Sequence, residues 1–283
     1  MDVRPSPIAG RWYPADPEAL AGEVDRYLEQ ASARMPAGRI WGLLVPHAGL
    51  RYSGPVAAHA FRCVREAVPE LVALVGPLHE PARAPLLTTA HDAYRTPLGL
   101  VEVDRQAVHR LHERLAERLG RGLTQLRDDR EHSLEIELPF LQRVLGRFHL
   151  LPVMVATQRP QIAVALGEAL ADVLRGHRAL LIASSDLSHY RAAHEAAVLD
   201  RELLRRITAL DPQGVLAAEA EGAGYACGAG AIAAVLWAAQ ALGADHATVL
   251  CYGTSAAATG DYSAVVGYGA AVIWQEGYAQ RGR

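Results

Sequence analysis

The chain has no lysine; all 28 of its cationic residues are arginine. That excludes Schiff-base chemistry and general-base work by an amine side chain. Cysteine is scarce: Cys63, Cys227 and Cys251 in 283 residues make no disulfide framework. Positive charge is not in excess, and the net charge of −3 argues against a nucleic-acid partner. No apolar run approaches the ~20 residues needed to span a bilayer. The opening Met1-Asp2-Val3-Arg4-Pro5-Ser6-Pro7 has no apolar signal core. No membrane partner and a cytoplasmic location are therefore expected. Gly-x-Gly-x-x-Gly after a strand, a P-loop and a Gly-x-Ser-x-Gly elbow are all missing.

What is present is ordinary globular composition, 51% hydrophobic and 21% charged. A chain of this length buries a sizeable core without staples. No linker-like run, repeat or low-complexity segment divides it, so residues 1–283 read as one domain. Apolar runs at 40–45, 71–75, 150–155 and 179–183 predict buried strands. Asp16-Pro17-Glu18 opens a helix with Leu20, Val24 and Leu28 on one face. Further helices are predicted at about 55–67, from Asp104 to Leu119, and at 132–145, with a kink or break at Pro139. Others follow at 159–175, 193–208, 211–220 and 229–242, the last apolar on most sides. Pro152 marks 150–155 as an edge strand, or as the start of one. Paired strands at 84–104 and 246–274 predict antiparallel pairing. Residues 1–15 should lie extended on the body and 279–283 should fray. The sum is α/β: a three-layer α/β/α architecture with a mixed, mainly parallel sheet.

Three of the strands end in an imidazole. Val45 runs into Pro46-His47-Ala48-Gly49, Val75 into Gly76-Pro77-Leu78-His79, and Ala183 into Ser184-Ser185-Asp186-Leu187-Ser188-His189. In open α/β sheets ligands gather at the carboxyl ends of strands, and imidazole is the commonest metal-ligating side chain. A lone turn histidine more often bonds backbone. Two such turns on adjacent strands would bring His47 and His79 within coordinating reach. Asp186 and His189, three apart, would face one way on a helical turn; a carboxylate there orients an imidazole or supplies acid–base function. It could equally cap the turn. Cys227 precedes an apolar helix, where a thiol tends toward thiolate; the bland reading is a small buried residue. His132, in Glu131-His132-Ser133-Leu134-Glu135, is a site donor or part of a helix cap whose acids suit the macrodipole. Cys63 and Cys251 read as core, and His59 and His91 as undecided.

These pieces, in order, resemble the Memo family, whose prokaryotic members are called AmmeMemoRadiSam system protein B. The matching residues are Ala9-Gly10-Arg11-Trp12-Tyr13-Pro14, Pro46-His47-Ala48-Gly49, Tyr52-Ser53-Gly54, Gly76-Pro77-Leu78-His79, Thr96-Pro97-Leu98-Gly99, Glu131 to Glu135, Ser184 to Tyr190, Cys227-Gly228, Tyr252-Gly253-Thr254-Ser255 and Thr259-Gly260-Asp261-Tyr262. Leu78 departs from the pattern, standing where a small or polar residue is usual.

The resemblance implies a fold similar to class III extradiol dioxygenases, which hold non-haem Fe(II). It implies His47, His79 and Cys227 as metal ligands, with Asp186 and His189 as further polar groups. A thiol where those dioxygenases place a carboxylate argues against ring cleavage and also suits copper or zinc. Three functions follow as expectations. One is a metal-dependent oxidoreductase. The second is a binding protein, with Trp12 and Tyr52 as an aromatic wall for a peptide or small molecule. The third is an accessory role beside a radical-SAM protein in a modification system.

Overall fold

A computed structural model describes residues 1–32, 36–65 and 67–277; the fraying expected at 279–283 lies outside them. In chain order the elements are β1 (Val3–Arg4), α1 (Pro17–Gln30), β2 (Gly38–Val45), α2 (Leu50–Arg62), β3 (Leu71–Pro77), β4 (Leu86–Thr89), β5 (Ala93–Thr96) and β6 (Gly99–Glu102). Then come α3 (Arg105–Leu119), β7 (Thr124–Leu126), a 3-10 turn at Glu135–Glu137, α4 (Leu138–Leu145), β8 (His149–Val155), α5 (Pro160–Leu174), β9 (Ala179–Ser184) and β10 (His189–Arg191). The rest are α6 (Ala193–Thr208), α7 (Pro212–Ala217), α8 (Ala229–Leu242), β11 (His246–Thr254), α9 (Ala256–Thr259) and β12 (Val265–Glu276).

The main sheet runs β10-β12-β2-β9-β3-β8-β4-β7, with β11 also paired to β12. Its centre, β2-β9-β3-β8, is parallel. The flanking β12 and β4 are antiparallel to it. Helices α1, α2 and α4 pack on one face and α3, α5, α7 and α8 on the other. The architecture is the expected three-layer α/β with a mixed sheet. Central strands are buried on both faces, so they read as unbroken apolar runs. Helix α8 is apolar all round because it lies between α5, α7 and the strands. Strands β5 and β6 pair as a hairpin, joined by β1 into a small second sheet. Among the described residues no helix is long and apolar enough to cross a membrane.

Three local expectations are corrected. Helix α2 starts at Leu50, not at Pro55. The Leu50 amide donates to the Trp12 carbonyl at 2.8 Å, so the amino-terminal segment supplies the cap and Pro55 falls inside the helix. Strand β8 is internal, between β3 and β4, despite Pro152. Its backbone pairing with β4 stops at Met154, and the Thr88 hydroxyl donates to the Pro152 carbonyl at 2.7 Å instead. The stretch 132–137 is not α-helix; Pro139 sits in the first turn of α4, where its missing N–H costs no bond.

One buried cation holds the amino terminus down. Arg4 is 1% exposed. Its guanidinium donates to both oxygens of Asp129, the shortest bond being 2.6 Å, and to Glu135 at 2.5 Å. It also donates to the Glu131 carbonyl at 2.7 Å. Replacing Arg4 by Ala leaves buried carboxylates uncompensated. We expect a loss of about 3–5 kcal/mol in unfolding free energy, read from urea denaturation; a loss under about 1 kcal/mol would mean that the network relaxes without its cation.

Candidate functional site

Val45 is level with Ser184, and Val75 with Ala183. The chain therefore leaves β2, β9 and β3 at one edge of the sheet, carrying His47, Asp186 and His79 with it. Strands β2 and β3 are not the adjacent pair expected from sequence; β9 lies between them. The rings still meet, with centroids 5.3 Å apart, edge to face. Cys227 arrives at the mouth of α8. Gly228 permits this, because a Cβ there would sit 2.8 Å from the Ser184 carbonyl and from Ser185 Cβ. One ligating atom each from His47, His79 and Cys227 lies within 4.8 Å of the others. His47 Nε2 is 3.2 Å from Cys227 Sγ.

The tautomers follow from counting protons. Ser184 Oγ lies 2.6 Å from the Ser133 carbonyl, 3.0 Å from Glu137 Oε1 and 2.9 Å from His47 Nδ1. A carbonyl only accepts, so the single hydroxyl proton goes to Ser133. Glu137 Oε1 lies on the same hydroxyl, and burial pushes its carboxyl well above the ordinary range. A lone pair of the hydroxyl accepts Nδ1–H of His47. Nε2 then carries a lone pair toward Cys227. Burial, with His132 and His79 close by, keeps His47 neutral.

At the rim, His79 meets Glu131: Nδ1 is 2.9 Å from Oε1, and the main-chain N–H donates to Oε2 at 2.6 Å. The same carboxylate accepts the amides of His132 and Ser133 at 2.9 and 2.8 Å. Burial opposes its charge, but these donors and His79 hold Glu131 well below the ordinary range. An ionised partner makes Nδ1 the donor and leaves Nε2 free, the arrangement found behind metal-ligating histidines. Burial lowers the affinity of His79 for a proton, yet Glu131 outweighs it and the net shift is upward. Gly76 lets this loop close over β3, since a Cβ there would sit 2.8 Å from Ser133 Oγ. His79, Glu131 and His132 also cluster within metal-binding distance, but Glu131 is already committed to four N–H groups.

Around this core, His132 stacks on His79 with centroids 4.6 Å apart, and Trp12 lies 4.1 Å from His132. Burial pulls His132 down to about 4. Tyr52 faces the His47 turn: a Cβ on Gly49 would stand 3.5 Å from both the Trp12 carbonyl and the Tyr52 ring. Asp186 Oδ1 accepts the main-chain N–H groups of His47 and Ala48 at 2.8 and 3.3 Å. Burial still pushes it up to about 7. Among the described residues no hydrogen bond or ion pair joins His189 to Asp186. Residues 185–188 form no helical turn, and β10 begins at His189, so the expected shared face does not exist. The His189 ring stands 5.6 Å from that of Tyr225, and its Nε2 is buried without a partner among the described residues. The low thiol pKa expected of Cys227 is also corrected. Burial and the nearby Asp186 push it up to about 12, so the thiol keeps its proton and donates it to His47 Nε2.

Sequence reasoning missed Glu131, Glu137 and Ser184 as the groups that orient the imidazoles. A signal existed. In Leu134-Glu135-Ile136-Glu137-Leu138 the acids alternate with large apolar residues, and all five are buried.

Comparisons with known proteins agree along the whole chain. The family model described as Memo-like protein matches residues 4–272. A MEMO1 family protein of Methanopyrus kandleri is 37% identical over 286 residues, covering 95% of this chain and 98% of that one. Its counterpart in Methanosarcina acetivorans is 37% identical over 276 residues, 96% of this chain and all of the other. That of Aquifex aeolicus is 34% identical over 271 residues, 95% and 98%.

The tautomers are testable. In nitrogen-15 correlation spectra of metal-free protein near pH 8, His47 and His79 should both show protonated Nδ1 and bare Nε2. Glu131→Gln removes the ionised acceptor and should scramble His79 alone. An unchanged His79 pattern in that variant would disconnect Glu131 from the ring.

Proposed function

The chain belongs to the Memo family, and we propose that it is a metal-binding member in which His47, His79 and Cys227 hold one first-row ion. Fe(II) is the foremost candidate, with copper and zinc as alternatives that a thiolate admits. The observation that carries this reading is the convergence of two imidazoles and a thiol within 4.8 Å, each imidazole backed by an acceptor on Nδ1. When bound, iron or copper supplies a Lewis-acidic, redox-active centre.

The protein's own groups then have definite tasks. Glu131 and Ser184 aim the rings. Asp186 fixes the backbone turn that carries His47. His132 and His189, both held below the ordinary imidazole range by burial, stay neutral at pH 7 and can accept a proton at the pocket. Trp12 and Tyr52 wall the entrance for a peptide or small-molecule ligand. We place a binding or accessory role, beside a radical-SAM protein in an AmmeMemoRadiSam-type system, ahead of catalysis. The second reading, an oxidoreductase on a dioxygenase-like scaffold, draws on the neutral His132 and His189. It ranks lower because a thiolate ligand is itself open to oxidation.

Protein purified without oxygen should carry one metal equivalent per chain, and His79→Ala should lose it while remaining folded. Metal content and circular dichroism decide this; full occupancy in the variant would remove His79 from the ligand set. The thiol supplies the pH dependence. With its metal-free pKa at about 12, binding expels one proton throughout the neutral range. Apparent affinity should therefore rise about tenfold per pH unit from 7 to 9, and more steeply where His79 also titrates. A competitive chelator titration measures this, and a flat profile would exclude Cys227. After reconstitution with Fe(II), catechol and protocatechuate should give no multiple-turnover ring opening; rapid yellow product would reverse the ranking.

A further inference from the structure

A second cavity, of about 460 Å³, lies beyond His79 at the far edge of the sheet. Its walls are the 78–85 turn that follows β3, strand β4, the terminal strand β7 and the turn after α3. That volume is within the roughly 300–1,000 Å³ of small-molecule sites. Leu78, Leu87 and Leu126 give it an apolar floor. Leu78 is 9% exposed and Leu87 3%, so both are held by the core and neither is a loose surface side chain.

The rim is charged. Arg83 and Arg121 line the cavity together with Glu80. Neither guanidinium has an ion pair or side-chain hydrogen bond among the described residues, although Glu80 shares the same wall. One turn earlier, Arg118 is engaged by Glu168 and Asp172. The planar fork of an arginine is matched to carboxylate geometry. Two such cations and one acid leave a net charge of one positive over an apolar floor.

From this arrangement we infer that the cavity is a binding site, separate from the metal pocket, for a monoanionic amphiphile: a small molecule with a carboxylate head and an apolar body. The head sits between Arg83 and Arg121. The body lies over Leu78, Leu87 and Leu126 and removes their remaining surface from water. Glu80 disfavours a dianion such as a phosphate monoester, since a second negative charge would face it.

Isothermal titration with decanoate is the test, with decanol and inorganic phosphate as the two half-ligands. Protein as purified should bind one decanoate, decanol more weakly, and phosphate not measurably. The double variant Arg83→Gln/Arg121→Gln should weaken decanoate about tenfold or more, and Glu80→Gln should tighten it severalfold. Protein stripped of metal by a chelator should bind decanoate as the unstripped protein does. Any of four results overturns the proposal: no binding, equal affinity for decanol, indifference to the two arginines, or loss of binding on metal removal, which would place the carboxylate on the metal.

Discussion

The pocket depends on one buried guanidinium more than on any of its own residues. Arg4 reaches across the chain to Asp129, Glu131 and Glu135 and so fixes the 129–137 segment against β1. That segment carries the Glu131 carboxylate for His79, the Ser133 carbonyl and Glu137 carboxyl for Ser184, and the His132 ring that stacks on His79. The orientation of both imidazoles therefore traces back to one cation. Five donors in a rigid fork suit this task, and an ammonium with three donors would not satisfy the same acceptors. Burying such a group costs desolvation that its ion pairs only partly offset. The return is a single geometry for a loop that has little regular structure of its own.

The sheet was legible because its central strands are buried on both faces. Runs such as Leu71 to Val75 have no polar face to confuse with a helix, and their carboxyl ends name the site directly. Strand order was not legible. Nothing between residues 40 and 80 announces that β9, a hundred residues later, inserts between β2 and β3. The site survives the error because a parallel neighbour delivers its own end to the same edge.

Residues 132–137 look like helix in the sequence for a different reason. Acids ahead of an apolar stripe look like a helix start, and locally that reading is sound. Tertiary demand overrides it: Glu131, Glu135 and Glu137 are each buried and bonded to groups far away in sequence. No local propensity encodes Arg4 as a partner 125 residues distant from Asp129. Cys227 shows the same conflict at smaller scale. Proximity to a helix amino terminus favours a thiolate, whereas burial beside Asp186 favours the thiol, and burial wins.

That outcome bears on why a thiol, and not a carboxylate, stands at position 227. Asp186 is fully enclosed and already pushed up to about 7, and its carbonyl oxygen lies 3.6 Å from Cys227 Sγ. A second carboxylate here would face the first across a dry pocket, and one of the two would have to hold a proton at neutral pH. A thiol is neutral without effort, and its S–H satisfies His47 Nε2, so the metal-free pocket leaves neither polar atom unpaired. Loading as proposed would cost the pocket only the thiol proton. The donors are in this sense assembled beforehand, and such a set would favour ions that bind sulfur over those that demand oxygen.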